Sequence, residues 1–560
     1  MSMLVILPFV SMGGLCLFFV RKGKLSPWNA PLVSACFITL AVYSFGLIGL
    51  MRVGLYGIMG TGIALGIYAL WPAPRIRLHW SMALIAAGCA LLWLRYRNAM
   101  LLQYDDFSHW GLIARHLLAH DALPDKQAVL IQFQSYPPAA ACWIYAVCFF
   151  AGHSEGMMIT AQAWFTLFAL LPLFSIAEKN TVIKSGGIVV LMVIVLSMYH
   201  GTASLMVDNL LAAVSIGAVA LTVHRRKSPA QIAWPLAAVL AVLCLVKDSG
   251  LYFAVLVFTL YGYFLRRGHH AAKEALPVLL LPAACRIVWR IHIKLAFSAA
   301  GVTRHAFTLQ NMQAVSAGRS WVNFIQIGKA VVRAAASPWN QALQMLGLMV
   351  VGCVLVTGLR YVSTRRWRCA AGCRLLAGSM IAYGGYLALL VGMYFFTMPL
   401  HAAREAVAFE RYNITFALFL YGLFAAYLLA LPQASLPLKR LVPLVLALLL
   451  ATPVAMPAYR CGFHRLLSET YCVPVREQLL ALEQKRPLAA EESAALYVGD
   501  GGVQEDFVSY IAAYTFRQRI PIYTKDTLPK DMLPTVLYAL QADDTVNALA
   551  KSRDVEVVVP

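Results

Sequence analysis

Acidic side chains are scarce in this chain of 560 residues: 25 Asp and Glu stand against 46 Lys and Arg, and charged residues of every kind make up 13%. An ordinary soluble domain carries roughly 25% charge. With 61% hydrophobic residues and a mean hydropathy of +0.70, this composition excludes a soluble globular protein and describes a polytopic membrane protein. Several enzyme signatures are also missing. There is no HExxH zinc motif, no GxSxG elbow and no P-loop, so metalloprotease, α/β-hydrolase and P-loop chemistry have no motif to rest on. Gly57, Gly60, Gly62 and Gly66 fall inside an apolar segment, where small residues more often permit close helix packing than nucleotide binding.

What is abundant is hydrocarbon. About fifteen apolar segments, at 4–20, 31–51, 53–71, 81–94, 138–151, 157–177, 187–199, 205–223, 233–246, 251–265, 275–289, 341–359, 375–396, 412–431 and 441–458, approach the length needed to cross ~30 Å of lipid. Several are short, so the pattern predicts a mainly α, transmembrane helical bundle of about 14 spans. The first segment lacks a basic region before it and a small-residue cleavage site after it, and is read as a span.

A net charge of +21 would suggest nucleic acid in a soluble chain. Here the basic residues sit in short loops, where they act as orientation signals, and no nucleic-acid partner is expected. Arg21-Lys22-Gly23-Lys24, Arg75 with Arg77, Arg225-Arg226-Lys227, Arg266-Arg267, Arg365-Arg366-Trp367-Arg368 and Lys439-Arg440 would be cytoplasmic. The loop 98–137, the stretches 291–340 and 397–411, and everything after Ala458 then fall on the far side. Four segments between Asp105 and Arg225 give the wrong parity, so one must be a half-helix or re-entrant piece. Segments 138–151 and 187–199 are the short candidates.

Ten of the twelve cysteines lie in or beside apolar segments, as small hydrophobes. Cys461 and Cys472 follow the last segment, where a disulfide and two unpaired thiols remain equal alternatives. From Arg460 the composition becomes that of a soluble domain, which defines four regions: N-terminal spans 1–97, loop 98–137, core 138–459 and a small α/β domain 460–560. A charged stretch at 477–492 precedes expected buried strands at 494–498, 521–523 and 555–559, with helices at 507–516 and 545–551. Gly499-Asp500-Gly501-Gly502 could cradle a phosphate, but a tight strand-to-helix turn is the plainer reading.

Against this background Tyr104-Asp105-Asp106-Phe107-Ser108-His109-Trp110 stands out, because carboxylates at a membrane edge are costly to desolvate. The spacing of Trp110, Ile113, Leu117 and Leu118 predicts an amphipathic interfacial helix over 107–119. One aspartate could be its N-cap, though a cap needs only one of the two. His109, a turn after Asp105, could be a metal ligand, a proton partner or an ordinary interfacial histidine. Gln134-Ser135-Tyr136-Pro137-Pro138 then leads into an apolar helix, with Pro138 expected in its first turn.

An acidic residue opening the first large outer loop, an interfacial helix, a Tyr-Pro-Pro helix start and many spans resemble the GT-C superfamily of integral membrane glycosyltransferases, specifically the bacterial, family 39-like relatives of protein mannosyltransferases. The resemblance covers roughly residues 80 to 460. It departs from the family in an Asp-Asp pair where Asp-Glu is usual, and in extra segments before the acidic loop. It implies a polyprenyl-phosphate sugar donor and a hydroxyl acceptor on a glycan, lipid or protein, handled at the outer face of the plasma membrane. Asp105 and Asp106 would be the catalytic candidates, and Arg404, Arg411 and Lys247 candidates for the donor phosphate. His109, Tyr136, Glu405 and Glu410 would line the substrate site. Pairing of Arg404 and Arg411 with Glu405 and Glu410, and of Lys247 with Asp248, are the structural alternatives. A divalent cation between Asp106 and His109 is a further alternative that no dedicated ligand cluster requires. The rival class is a transporter or flippase, whose charges would line a path at mid-membrane.

Overall fold

The computed structural model describes residues 6–71, 79–177, 182–197, 203–297, 309–364, 370–431, 472–489, 492–499, 505–529, 534–541, 543–552 and 555–560. The chain is a polytopic helical membrane protein with a small parallel sheet near its C-terminus. Among the described residues eight helices are long and apolar enough to cross a membrane, and shorter apolar helices lie between them. Segment 441–458 and Cys461 lie outside the described residues; Cys472 is buried.

The first three helices, α1 (Leu7–Arg21), α2 (Ala30–Leu47) and α3 (Met51–Leu70), pack on one another. Two of the five glycines of α3 explain how. A Cβ on Gly14 would fall 2.1 Å from the Gly62 carbonyl oxygen, and one on Gly66 would fall 2.7 Å from Gly14 Cα, whereas Gly57 and Gly60 face open space. Helix α4 (Ser81–Tyr96) leads to the acidic loop, followed by α5 (Gly111–His120), α6 (Ala139–Ala151), α7 (Glu155–Leu170), α8 (Pro172–Ala177) and α9 (Val182–Ser197). Pro138 is the N-cap of α6, one position earlier than expected. At 13 residues α6 rises only ~20 Å, short of the ~30 Å hydrocarbon layer, and nearly all of it is buried.

Helix α10 (Asp208–His224) is the hub of the bundle. It packs against α7, α8, α11 (Ala233–Val246), α12 (Gly250–Arg267) and a later helix, α19, and is buried from Asp208 through Thr222. After α13 (Leu276–Ala296) the stretch expected to be an outer loop contains two helices, α14 (Leu309–Ala317) and α15 (Trp321–Ala335). A search for unbroken apolar runs misses α15 because only one stripe of it, Ile327 and Val331, is buried. Helices α16 (Gln341–Thr364), α17 (Ala370–Phe396), the short α18 (Leu400–Arg404) and α19 (Phe409–Ala430) complete the bundle.

Among the described residues the C-terminal unit begins with α20 (Cys472–Lys485), which overlaps the charged stretch 477–492. It continues as β1 (Ala494–Tyr497), α21 (Glu505–Phe516), β2 (Ile522–Tyr523), β3 (Val536–Ala539), α22 (Asp544–Ser552) and β4 (Glu556–Val558). Strand β3 was not expected, since a four-residue Val-Leu-Tyr-Ala run has too few residues to show a period. The sheet order is β2-β1-β3-β4, all parallel, with Leu496 opposite Ile522, Ala494 opposite Val536 and Val536 opposite Glu556. Alternate β1 residues face opposite ways. Ala494 and Leu496 join a cluster continuous with the membrane bundle, whereas Ala495 and Tyr497 pack with Val546 and Val555.

Candidate active site

The backbone around the acid pair is not the surface helix that the sequence suggests. Residues Asp106–Trp110 form a single π-helical turn that runs into α5, and that turn is buried throughout. The C-terminal unit packs on this region: Arg115 Nη1 of α5 donates to the Tyr514 carbonyl at 2.6 Å, and Phe107 of the preceding turn meets the Tyr514 ring. Neither aspartate caps the helix through its side chain.

The two carboxylates are aimed differently. Asp106, fully buried, accepts the Leu205 amide at 2.9 Å on Oδ1 and the Gln103 amide at 3.4 Å on Oδ2. It therefore ties the loop to the segment leading into α10. Asp105 instead accepts from Arg411 Nη1 at 2.5 Å, across 306 residues of sequence. Burial opposes ionisation of Asp105, but the Arg411 guanidinium and the Lys247 ammonium outweigh it and hold its carboxyl below the usual range. Burial moves Asp106 the other way, well above that range, with its two amide donors offsetting only part of the shift.

A second pair lies in the same charge network. Lys247, at the end of α11, donates to Asp208 Oδ1 at 2.7 Å, and Thr415 Oγ1 donates to the same oxygen at 3.4 Å. Arg411 and Lys247 each stand 5.1 Å from the centre of the Tyr412 ring. Two acids and two bases thus gather at the heads of α10 and α19 and the foot of α11, formally neutral in sum. Lys247 does not pair with Asp248, which is held by Arg286 of α13. Nor do Arg404 and Arg411 pair with Glu405 and Glu410: Arg404 Nη2 donates to Asn323 Oδ1 at 2.7 Å, and both glutamates are exposed. The sequence reading missed Asp208. Its signal was present, a carboxylate at the head of apolar segment 205–223 in a chain poor in acids, but the hydrophobic window absorbed it.

His109 shares a hydrogen bond of 2.8 Å between Nδ1 and Ser108 Oγ and packs edge-on against Phe133 and Tyr136. Burial, opposed by the Asp105 charge, pulls its pKa down to about 3. Tyr136 is pushed well above the usual phenol range by burial. Both oxygens of Asp106 accept backbone amides and Nδ1 of His109 is paired with Ser108, and among the described residues no three His, Cys, Asp or Glu side chains converge as metal ligands. A neutral His109 and an Asp105 held ionised together set the pH behaviour. Activity per unit donor at limiting concentration is expected to show no acid-side inflection between pH 5 and 8, and His109→Asn should leave the shape of that profile unchanged. An inflection near pH 6.5 that the variant abolishes would contradict it.

Beside Arg411 opens a cavity of about 710 Å³, walled by α15, the start of α16, the loop 405–408 and the first turn of α19. Arg333, Arg404, Glu405, Glu410 and Arg411 contribute its charges. Arg411 Nε and Gln341 Oε1, both shielded from solvent, have no hydrogen-bond partner. The loop carries Ala406 at φ 50° and Ala408 at φ 64°. Left-handed backbone costs an alanine roughly 1–2 kcal/mol, a strain that accumulates at ligand clamps. Asn413, buried, donates to Asn340 Oδ1, and Asn340 donates to Tyr383 Oη at 2.6 Å, so the head of α19 is pinned to α16 and α17.

These features define a polytopic helical membrane protein with a buried, ion-paired carboxylate beside a polar cavity. No protein-family model matches the chain, and no curated protein matches it. Among solved structures it is similar to the crystal structure of ArnT from Cupriavidus metallidurans bound to undecaprenyl phosphate, with 12% identity and a TM-score of 0.35 over 85% of this chain and 89% of that chain. At that identity, function has to be read from this chain's own residues.

Proposed function

We propose that the protein is a GT-C-type membrane glycosyltransferase that moves a sugar from a polyprenyl-phosphate donor to a hydroxyl acceptor on a cell-envelope glycan, lipid or protein. The reaction takes place at the outer face of the plasma membrane. The observation that carries this reading is the contact of Asp105 with Arg411 at 2.5 Å beside the 710 Å³ cavity. A guanidinium matches phosphate oxygens as well as it matches a carboxylate, and the Nε of Arg411 is unsatisfied. An arriving donor phosphate would compete for Arg411 and release Asp105. Arg404 lies on the same cavity and Lys247 beside the Tyr412 ring, so both can add to the phosphate's charge balance.

Released from its partner but still buried, Asp105 gains basicity and takes the proton of the acceptor hydroxyl. The acceptor oxygen bonds to the anomeric carbon as that carbon's bond to the phosphate oxygen breaks, and the electron pair leaves on polyprenyl phosphate beside Arg411. A single displacement inverts the anomeric centre. Asp106 holds the loop, while Tyr136, His109, Glu405 and Glu410 line the approach. The protein reconstituted in vesicles with a labelled polyprenyl-phosphate sugar should transfer the label to an acceptor and leave polyprenyl phosphate behind. Movement of intact donor across the bilayer, with no cleavage of its sugar–phosphate bond, would establish the transporter reading instead.

A further inference from the structure

We infer that Arg476 is a positioning residue for Asp105, and that the C-terminal unit is thereby part of the active-site framework; this rests on the reading of Asp105 as the base. Arg476 lies on α20, more than 300 residues beyond the acid pair, yet its side chain is 1% exposed and set against the acidic loop. Its Nη2 donates to Glu155 Oε1 at 2.6 Å, and the other oxygen of Glu155 accepts the Leu101 amide at 2.7 Å. Its Nη1 donates to Thr515 Oγ1 at 2.9 Å on α21, and its guanidinium carbon stands 5.1 Å from the Phe107 ring and 5.4 Å from that of Tyr514.

One guanidinium therefore holds the loop on both sides of Asp105. Four residues upstream it acts through Glu155 on Leu101, and two residues downstream it faces Phe107. Between these points the backbone is a short irregular stretch and a π-helical turn, which could not fix a carboxylate unaided. The backbone at Glu155 is closely packed: Glu155 opens α7, and a Cβ on the adjoining Gly156 would fall 2.4 Å from the Tyr96 carbonyl oxygen at the end of α4. Stability alone does not account for this arrangement. Buried ion pairs are often no more stable than apolar replacements, and Arg476 leaves its Nε without a partner. What the pair adds is a fixed geometry for the loop that carries Asp105, and catalytic groups are sensitive to displacements of ~1 Å.

The test uses the full chain carrying Arg476→Met, Arg476→Lys or Phe107→Leu, with transfer kinetics and hydrogen exchange followed over residues 99–112. In Arg476→Met, kcat should fall on the order of 10²-fold with donor KM within about twofold, and exchange should quicken in 99–112 but not in α10 or α19. Arg476→Lys, which keeps the charge towards Glu155, should recover most of both. Phe107→Leu, which removes the ring but not the pair, should reproduce the local exchange change and part of the loss, and decides the matter if Arg476→Met does not fold. A folded Arg476→Met with wild-type kcat, or unchanged exchange over 99–112 in Phe107→Leu, overturns the inference. Full activity of Asp105→Asn in the same assay would instead overturn the proposed function, and the exchange result would stand apart from it.

Discussion

Asp105→Asn is expected to lower kcat for sugar transfer by roughly 10²–10⁴-fold, the range a general base contributes, without weakening donor binding. The substitution is close to isosteric and keeps an oxygen that can accept from Arg411, so the fold around the 2.5 Å contact should persist. What it removes is the lone pair that takes the acceptor's proton. It also removes the charge that competes with the donor phosphate for Arg411, so donor KM should stay level or fall. Asp106→Asn should behave otherwise. Its carboxylate is spent on the amides of Leu205 and Gln103, and the new amide nitrogen would face one of those N–H groups. The expected result is a smaller loss of kcat together with a lower thermal midpoint, because a buried amide left without its acceptor costs about 1–3 kcal/mol. The measurement is single-turnover transfer of labelled sugar in membranes, with unfolding followed on the same preparations. Full activity in Asp105→Asn would remove it from the chemistry.

The parts of this arrangement legible in the sequence are those set by local pattern. Apolar segments of near-spanning length gave the bundle, and scarcity of acid drew attention to Asp105 and Asp106 before any fold was known. Arg411 was marked by a charged cluster between two spans. What the sequence could not supply were partners chosen by tertiary packing. Lys247 and Asp248 are adjacent in the chain, yet each is taken by a residue on another helix, Asp208 of α10 and Arg286 of α13. Neighbours in sequence at a helix boundary project in different directions, so adjacency says little about pairing. The amphipathic spacing over 107–119 correctly marked a helix after the first turn, but Arg115 on its polar side meets the C-terminal unit, while His120 at its end is exposed. The residues that reach this region, Arg476 and Tyr514, come some 370–400 residues later, Arg476 just before the charged stretch 477–492 and Tyr514 within the helix expected at 507–516. Asp208 was lost for a different reason: averaging hydropathy over a span hides one carboxylate at its first position.

Arg411→Met is expected to cost both function and stability, and the two losses can be separated. Asp105 and Arg411 are 19% and 17% exposed, so truncating the arginine leaves a largely buried carboxylate without its counter-charge. Breaking a buried pair on one side costs about 3–5 kcal/mol, several times the value of a surface pair. The pH dependence gives the sign. In the wild type the carboxyl of Asp105 is held below its unfolded value. Its contribution is therefore stabilising above about pH 3.9 and lost as pH falls through the folded value. With Arg411 gone, burial dominates and the folded value rises above the unfolded one, so the penalty is present near neutral pH and relieved as pH falls. The variant should thus lie closest to wild-type stability in acid and furthest from it at pH 7. Adding Asp105→Asn removes the stranded charge, so the double variant should regain most of the thermal midpoint at pH 7 while transferring no sugar. Recovery of that kind, about 2 kcal/mol or more of coupling, would show that the pair's contribution to folding is mutual compensation of two buried charges. If Arg411→Met alone matched wild type in stability and in donor KM, neither the pairing nor the phosphate role could hold. A raised donor Kd in the double variant, measured by equilibrium binding and set beside an unraised one in Asp105→Asn, would locate phosphate recognition on Arg411 and the proton transfer on Asp105.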